Sequence, residues 1–466
     1  ATGRLLSYTP QTSALRVLHE FKVSTIGGTG LIGVALDPHF DTNHFIYLYY
    51  APPKQDEPIL FRLSRFTLSE KDELDPASEK VMLEVPVQKQ SGSHHGGSLA
   101  WDRAGNLYLS TGDSSSPAPS EGYAPLDERP GHSSLDSQRS AANTNDFKGK
   151  ILRIHPEPDG TYTIPKGNLF PIGEAKTRPE IYIMGVRNPY RIAVSPKTSV
   201  LYWGEPGPDA GEDSPRGPRG YDEFNQARQA GNFGWPYFVA NNLAYSKWDF
   251  ATQTAGPRMD PRAPENRSPN NTGLMRLPPA QPAFIWYPYG PSDQFPEFGQ
   301  GGRCAIVGDF YTYDSNNPSP RKFPAYFDGQ LFVADWMRNW VFSLRFDAKD
   351  NYVGDHAFMT SNGDFRRPID LTFGPDGAMY MLEYGSVYGF DNVDARLVRI
   401  DYDSGKRAPI ARAGAVDDAG EAARKIFNQK IHLTSEEDRT IRTYHTLTGA
   451  TPLTATFTGA ASESLD

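Results

Sequence analysis

Three clusters carry side chains that can do chemistry. The first is Ser93-His94-His95-Gly96-Gly97, followed by Ser110-Thr111-Gly112-Asp113. Histidine titrates near neutral pH and suits a general base, and neighbouring glycines let a flat substrate or cofactor approach the backbone. Adjacent residues on a strand point to opposite faces, so His94 and His95 do not readily ligate one metal ion. His-Gly-Gly also occurs in esterase oxyanion loops, but no Gly-x-Ser-x-Gly elbow accompanies it. A hydrogen-bonded structural histidine is the competing reading, and for His95 it is the stronger one.

The second cluster is Gly185-Val186-Arg187-Asn188-Pro189-Tyr190-Arg191. Arg187 can bind a carboxylate with two parallel hydrogen bonds, and Asn188 both donates and accepts. Alone, the motif reads equally well as a surface salt bridge. The third is Gly204-Glu205-Pro206-Gly207-Pro208-Asp209, with Tyr221-Asp222-Glu223 and Gly231-Asn232-Phe233-Gly234-Trp235-Pro236 beyond it. Its turn carbonyls and the carboxylates of Asp222 and Glu223 are oxygen donors of the kind calcium takes. An acidic, solvated loop is the alternative.

The elements that position these clusters are strands. Apolar runs reach an Asp or Pro, turn at Gly or Asn, and return as aromatic-rich runs. Leu36-Asp37-Pro38 leads to Phe45–Tyr50, Leu99–Asp102 to Leu107–Ser110, Ala193–Pro196 to Leu201–Trp203, and Leu371–Gly377 to Met379–Leu382. Such cores are hairpin turns between alternating strands. Repetition of one hairpin unit over 466 residues predicts radially repeated sheets. A β-sandwich is the competing all-β architecture, but it rarely runs past about 250 residues. Helical signal is confined mainly to Glu421–Gln429. Residues 206–222 and 236–302 are Gly/Pro/Asn-rich insertions with several aromatics, expected to shape the mouth of a site.

Bulk properties exclude several classes. A formal charge of −9 with no basic run argues against a nucleic-acid partner. The single cysteine, Cys304, excludes an intrachain disulfide, a Cys-rich zinc site and a c-type haem. No apolar run is long enough to span a membrane. Ala1-Thr2-Gly3-Arg4 does not look like a natural start, so an upstream segment is expected.

The order of these motifs resembles the PQQ-dependent glucose/sorbosone dehydrogenases (PQQ, pyrroloquinoline quinone). The resemblance rests on His94-x-x-Gly97 before a strand, Arg187-Asn188-Pro189, Gly207-Pro208, Asp222-Glu223-x-Asn225 and Gly231–Pro236. The opening stretches Ala1–Leu6 and Gly30–Phe40 match as well, so the likeness runs from residue 1 to about 402. It implies an all-β fold: a six-bladed β-propeller of four-stranded antiparallel blades with long loops on the cofactor face, over residues 1–403. A linker over 404–450 is expected to follow. Residues 451–466 resemble the opening of a PKD-type immunoglobulin-like module.

The resemblance also implies roles. His94 would be the general base, taking the sugar hydroxyl proton as hydride passes to the quinone. Calcium, held by the carbonyls of Gly207 and Pro208, would polarise the receiving carbonyl. Arg187 and Asn188 would contact PQQ, whose carboxylates need fixed cations. A second calcium would use Glu223 and the carbonyl of Phe233. Arg303 and Cys304 fall at polar cofactor contacts. Met337 stands where the glucose-specific enzymes have a lysine, with Arg338 as substitute. Ile369 replaces one of two arginines, leaving Arg367, and Gly28 replaces a substrate-side glutamine. The partners implied are a sugar and an external electron acceptor, a cytochrome or quinone; a periplasmic or secreted location follows from family habit. A calcium-dependent propeller lactonase is the alternative enzyme, though it would hold metal by side chains rather than Gly-Pro carbonyls. A non-catalytic carbohydrate-binding propeller is the third reading.

Overall fold

The computed structural model describes residues 3–10, 12–53, 58–71, 73–88, 94–115, 120–359, 364–387, 392–402, 410–415, 440–442 and 452–458. Strands and turns dominate; one α-helix, the four-residue Phe40–Asn43, occurs among the described residues. None of their helices is long and apolar enough to cross a membrane. The helical signal at Glu421–Gln429 lies outside them.

Five sheets follow one another along the chain, each built on four antiparallel blade strands taken in chain order. The first comprises Leu31–Leu36, Phe45–Tyr50, Ile59–Leu68 and Leu74–Val87. The second uses Leu99–Trp101, Leu107–Thr111, Lys150–Pro156 and Ile181–Met184, and the third Arg191–Val194, Leu201–Glu205, Asp222–Ala227 and Ile285–Tyr287. The fourth runs Ala305–Phe310, Leu331–Asp335, Trp340–Phe346 and Tyr352–Phe358; the fifth Pro368–Phe373, Met379–Glu383, Arg396–Asp401 and Ile410–Ala415. The chain forms two compact units, one of residues 1–5 and 17–305, the other of residues 6–16 and 306–466.

The hairpin repeat thus predicts the blades but not their number. Five are present among the described residues, not six. The strands Arg4–Thr9 and Ala14–Glu20 pair with each other as a separate two-stranded sheet. Local hairpin pairing satisfies much of their backbone without a third strand, and Leu5, Leu18 and Phe21 pack against Ile46, Leu48 and Phe66 of the first sheet.

Alternation along each strand explains why these sheets stack. In Phe45–Tyr50, Ile46, Leu48 and Tyr50 face that N-terminal cluster. Tyr47 and Tyr49 face Leu107, Leu109, Leu152 and Ile154 of the second sheet. The second sheet's other face sends Tyr108 and Ile151 against Ile192, Leu201 and Trp203 of the third. Sheets buried on both faces need apolar residues at successive positions, as these strands have. Each large side chain so enclosed contributes roughly 1.5–3 kcal/mol. The hairpin turns use the expected chemistry: Asp102 Oδ1 accepts from the amides of Ala104 and Asn106, both at 2.9 Å, while Gly105 takes a φ of +77°.

Part of the second insertion is tied to the 136–146 loop. Asn266 Nδ2 donates to the carbonyls of Gln138 (2.7 Å) and Ala142 (3.0 Å), and Asn270 Nδ2 to Asp136 Oδ2 (2.9 Å). Asn266 is buried, at 1 % exposure. Strand Pro452–Thr458 forms within the segment likened to a PKD-type module, yet pairs with Ile410–Ala415 beside the fifth sheet. Most of residues 404–450 lies outside the described residues.

Candidate active site

The site in the first unit is built where strand ends of the second and third sheets meet glycine-rich turns. His94 takes a left-handed φ of +59° and is followed by Gly96 at +63° and Gly97 at +105°. A Cβ on Gly96 would stand 2.7 Å from the Ser110 carbonyl oxygen, and one on Gly112 would stand 2.1 Å from that of His94. Glycine is required because two backbone segments touch here. Asn188 Oδ1 accepts from the Gly96 amide at 3.1 Å, tying the Arg-Asn-Pro turn to the histidine loop.

His94 Nδ1 lies 2.7 Å from Asp113 Oδ1. A carboxylate acceptor puts the proton on Nδ1 and leaves the Nε2 lone pair basic. Asp113 is itself fixed, its Oδ2 accepting from Ser137 Oγ and Trp235 Nε1, both at 2.8 Å. Burial would raise its carboxyl, yet His94, Arg187 and Trp235 hold it below the ordinary value. Burial, reinforced by the Arg187 charge, pulls His94 below its ordinary value against the opposing pull of Asp113. The imidazole is therefore neutral at neutral pH and able to accept a proton.

Arg187 is buried, its Nη1 donating to the Pro206 carbonyl at 3.0 Å. Its amide and that of Asn188 donate to Glu205 Oε2 at 2.6 and 3.2 Å. Glu205 pairs in register with Glu223 on the neighbouring strand, and Asn225 Nδ2 donates to both carboxylates, at 3.4 and 3.1 Å. Burial raises both carboxyls, and for Glu223 the charge of Glu205 adds to the rise.

Asp222 and Arg303 depart from expectation. Asp222 is not offered to a metal ion: it accepts from Arg303 Nη1, from the Gly207 amide at 2.9 Å and from the Ala305 amide at 2.7 Å. Arg303 Nη2 donates to the Pro208 carbonyl, its side chain is 1 % exposed, and Tyr289 covers the guanidinium at 4.1 Å. The cofactor contact expected of Arg303 gives way to a scaffold role, because the nearest buried carboxylate claims the charge. Cys304 carries a half-buried thiol with no disulfide. His95 is structural, its Nε2 2.8 Å from the Gly27 carbonyl and its ring packed on Phe61.

The glucose/sorbosone dehydrogenase family model matches residues 1–272, more than half of the chain. The chain belongs to that family. These are the PQQ-dependent sugar dehydrogenases that its motifs resemble. It is 26% identical to the aldose sugar dehydrogenase YliI of Escherichia coli over 76% of this chain and 74% of that protein. It is 23% identical to quinoprotein glucose dehydrogenase B of Acinetobacter calcoaceticus over 82% of this chain and 79% of that one. Among solved structures, the apo soluble aldose sugar dehydrogenase of E. coli aligns at a TM-score of 0.56, with 21% identity, 85% of this chain and 90% of that chain covered. The PQQ-bound aldose sugar dehydrogenase of Streptomyces coelicolor aligns at 0.53, with 18% identity over 86% and 88%. These likenesses support the propeller fold.

In this dehydrogenase the second unit carries Arg338 and Arg367. Arg367 stacks over Trp336 at 5.0 Å and points Nη1 to the Met337 sulfur at 3.1 Å. Arg366 is paired with Asp364 (2.9 Å) and Asp394 (3.4 Å), which leaves Arg367 the more available cation. Arg338 is half-buried, its amide donating to Asp335 Oδ1 at 2.7 Å. Gly28 ends a 3-10 turn with φ +76°. Sequence reasoning assigned no role to Asp113, Trp235 or Glu205. The Gly112-Asp113 pair closing the strand opposite the histidine loop is the one local signal for the first.

Proposed function

We propose that the protein oxidises the hydroxyl of an aldose or related sugar with PQQ as hydride acceptor and His94 as general base. The observation that carries this reading is the His94–Asp113 pair at 2.7 Å, with Arg187 close enough to lower the histidine. When bound, PQQ would supply a quinone that accepts the hydride, and with it the two electrons of the oxidation. Arg187 and Asn188 would hold it. Cationic guanidinium beside a neutral imidazole fits a ligand that bears carboxylates and needs a base near it. His94 Nε2 takes the hydroxyl proton, Asp113 steadies the imidazolium that forms, and Trp235 and Ser137 keep Asp113 from turning away.

Calcium fits unevenly. A guanidinium already bonds the Pro208 carbonyl, so a dication at Gly207 and Pro208 would meet a like charge, and no step is assigned to it there. The Glu205–Glu223 pair suits a hard cation better: two buried carboxyls share one amide donor, and the charge of Glu205 adds to the rise of Glu223. No group of three His, Cys, Asp or Glu gathers among the described residues, so a cation at Glu223 needs main-chain oxygens such as that of Phe233. Electrons then pass to an external cytochrome or quinone, and a periplasmic or secreted location accords with that.

The test is a PQQ titration of the metal-stripped protein, followed by dye reduction across a panel of aldoses. Saturable PQQ binding that survives in His94→Gln, with turnover lost, is the expected result. A folded protein that binds no PQQ would sink the proposal.

A further inference from the structure

Lys150, the first residue of strand Lys150–Pro156, is completely buried. Lysine is almost never fully buried unless paired, yet here the partners are neutral. Nζ donates to three main-chain carbonyls: Ser140 at 2.7 Å, Ala141 at 3.0 Å and Lys148 at 2.7 Å. Three acceptors match the three protons of an ammonium. A neutral amine would turn its lone pair on one of them. Burial draws the group down to about 7, with Lys148 opposing the charge and Asp146 and Asp113 supporting it from a distance. The carbonyl cage holds the proton on.

The three carbonyls lie near the two ends of one strap, residues 137–149, which is pressed against the 111–115 segment. Ser137 Oγ donates to Asp113 Oδ2 at 2.8 Å, and Arg139 Nη2 donates to the Ser114 carbonyl at 2.7 Å. The Gly149 amide reaches the Gly112 carbonyl at 2.9 Å, and Thr111 Oγ1 reaches that of Phe147 at 2.5 Å. We propose that Lys150 is a positioning residue: its ammonium acts as a built-in monovalent cation that closes the strap, and the strap holds Asp113 and thereby His94. Only the last link rests on the functional reading above. The cage stands without it. Emptied of its ammonium, the cage is a ring of carbonyl oxygens of the kind that binds small monovalent cations.

The experiment uses the full chain without PQQ. Lys150→Met should lower the Tm by roughly 5 °C or more, since three buried carbonyls lose their donor. It should also move the His94 titration, followed by NMR, further down, because Asp113, which supports the imidazolium, is released. In Lys150→Ala, about 0.1 M methylammonium or ammonium chloride should restore at least half of the lost Tm, and choline chloride should not. An unchanged Tm in Lys150→Met, or a lowered Tm with the His94 titration unmoved, would overturn the positioning role. Equal effects of all three salts would overturn the cation cage. If both variants fail to fold, Ser137→Ala, which removes the strap's side-chain bonds to Asp113 and Ser115, must still lower the His94 titration; no shift there refutes the proposal. None of these readouts uses PQQ, so failure of the dehydrogenase reading is separately visible.

Discussion

Two buried carboxylates, Asp113 and Asp222, sit in the same unit and are both wholly enclosed. Asp113 faces His94, whose charge can change; Asp222 faces Arg303, whose charge cannot. Each accepts further bonds that leave it no freedom to turn: Ser137 and Trp235 for the first, the Gly207 and Ala305 amides for the second. The same chemical ingredient thus serves proton transfer in one place and scaffold in the other. The partner decides which. A carboxylate opposite a titratable ring can steady a charge that appears during reaction, whereas one opposite a guanidinium can only compensate a charge already present.

The contrast is open to attack at both ends. The largest expected effect is on stability: Asp222→Ala leaves the Arg303 guanidinium buried and unpaired, which should cost roughly 3–5 kcal/mol in urea unfolding. Asp113→Asn should cost clearly less, because the neutral amide faces a histidine that can also be neutral. On turnover the order reverses. His94→Gln should lower kcat about 10²–10⁴-fold with little change in the unfolding midpoint, and Asp113→Asn should lower it at least tenfold by releasing the imidazole.

A smaller effect sharpens the comparison further. Because burial and Arg187 lower His94, the acid limb of kcat should fall below pH 6.5, rates rising with pH as the imidazole loses its proton. Asp113 supports the imidazolium, so Asp113→Asn should shift that limb to lower pH in a stopped-flow pH profile. Arg187→Met should shift it upward. The smallest effect concerns the neighbouring acid pair. Calcium should raise the Tm of chelator-treated protein by a few degrees, and Glu223→Gln should abolish that response. A response that persists would place the ion elsewhere.

Much of the fold was legible because its signals are local. Alternating aromatic and aliphatic residues around Asp102–Asn106 or Pro375–Gly377 specify a hairpin wherever they occur, since backbone conformation and side-chain period are set over a few residues. The count of sheets was not legible. Whether Arg4–Thr9 and Ala14–Glu20 join a blade or pair with each other depends on which edges meet in space. The motifs around His94, Arg187 and Asn188 were likewise readable, since each lies within one short stretch.

By itself, then, the sequence determined an all-β chain of repeated hairpins, its membership of a dehydrogenase family and the identity of its candidate base. Tertiary structure alone decided which groups those residues answer to. Asp113 receives Trp235 from 122 positions away, and Asp222 takes Arg303 from 81 positions away. The reason is physical: a buried charge or polar atom must find its complement, and that complement is chosen by proximity in the folded chain rather than along it.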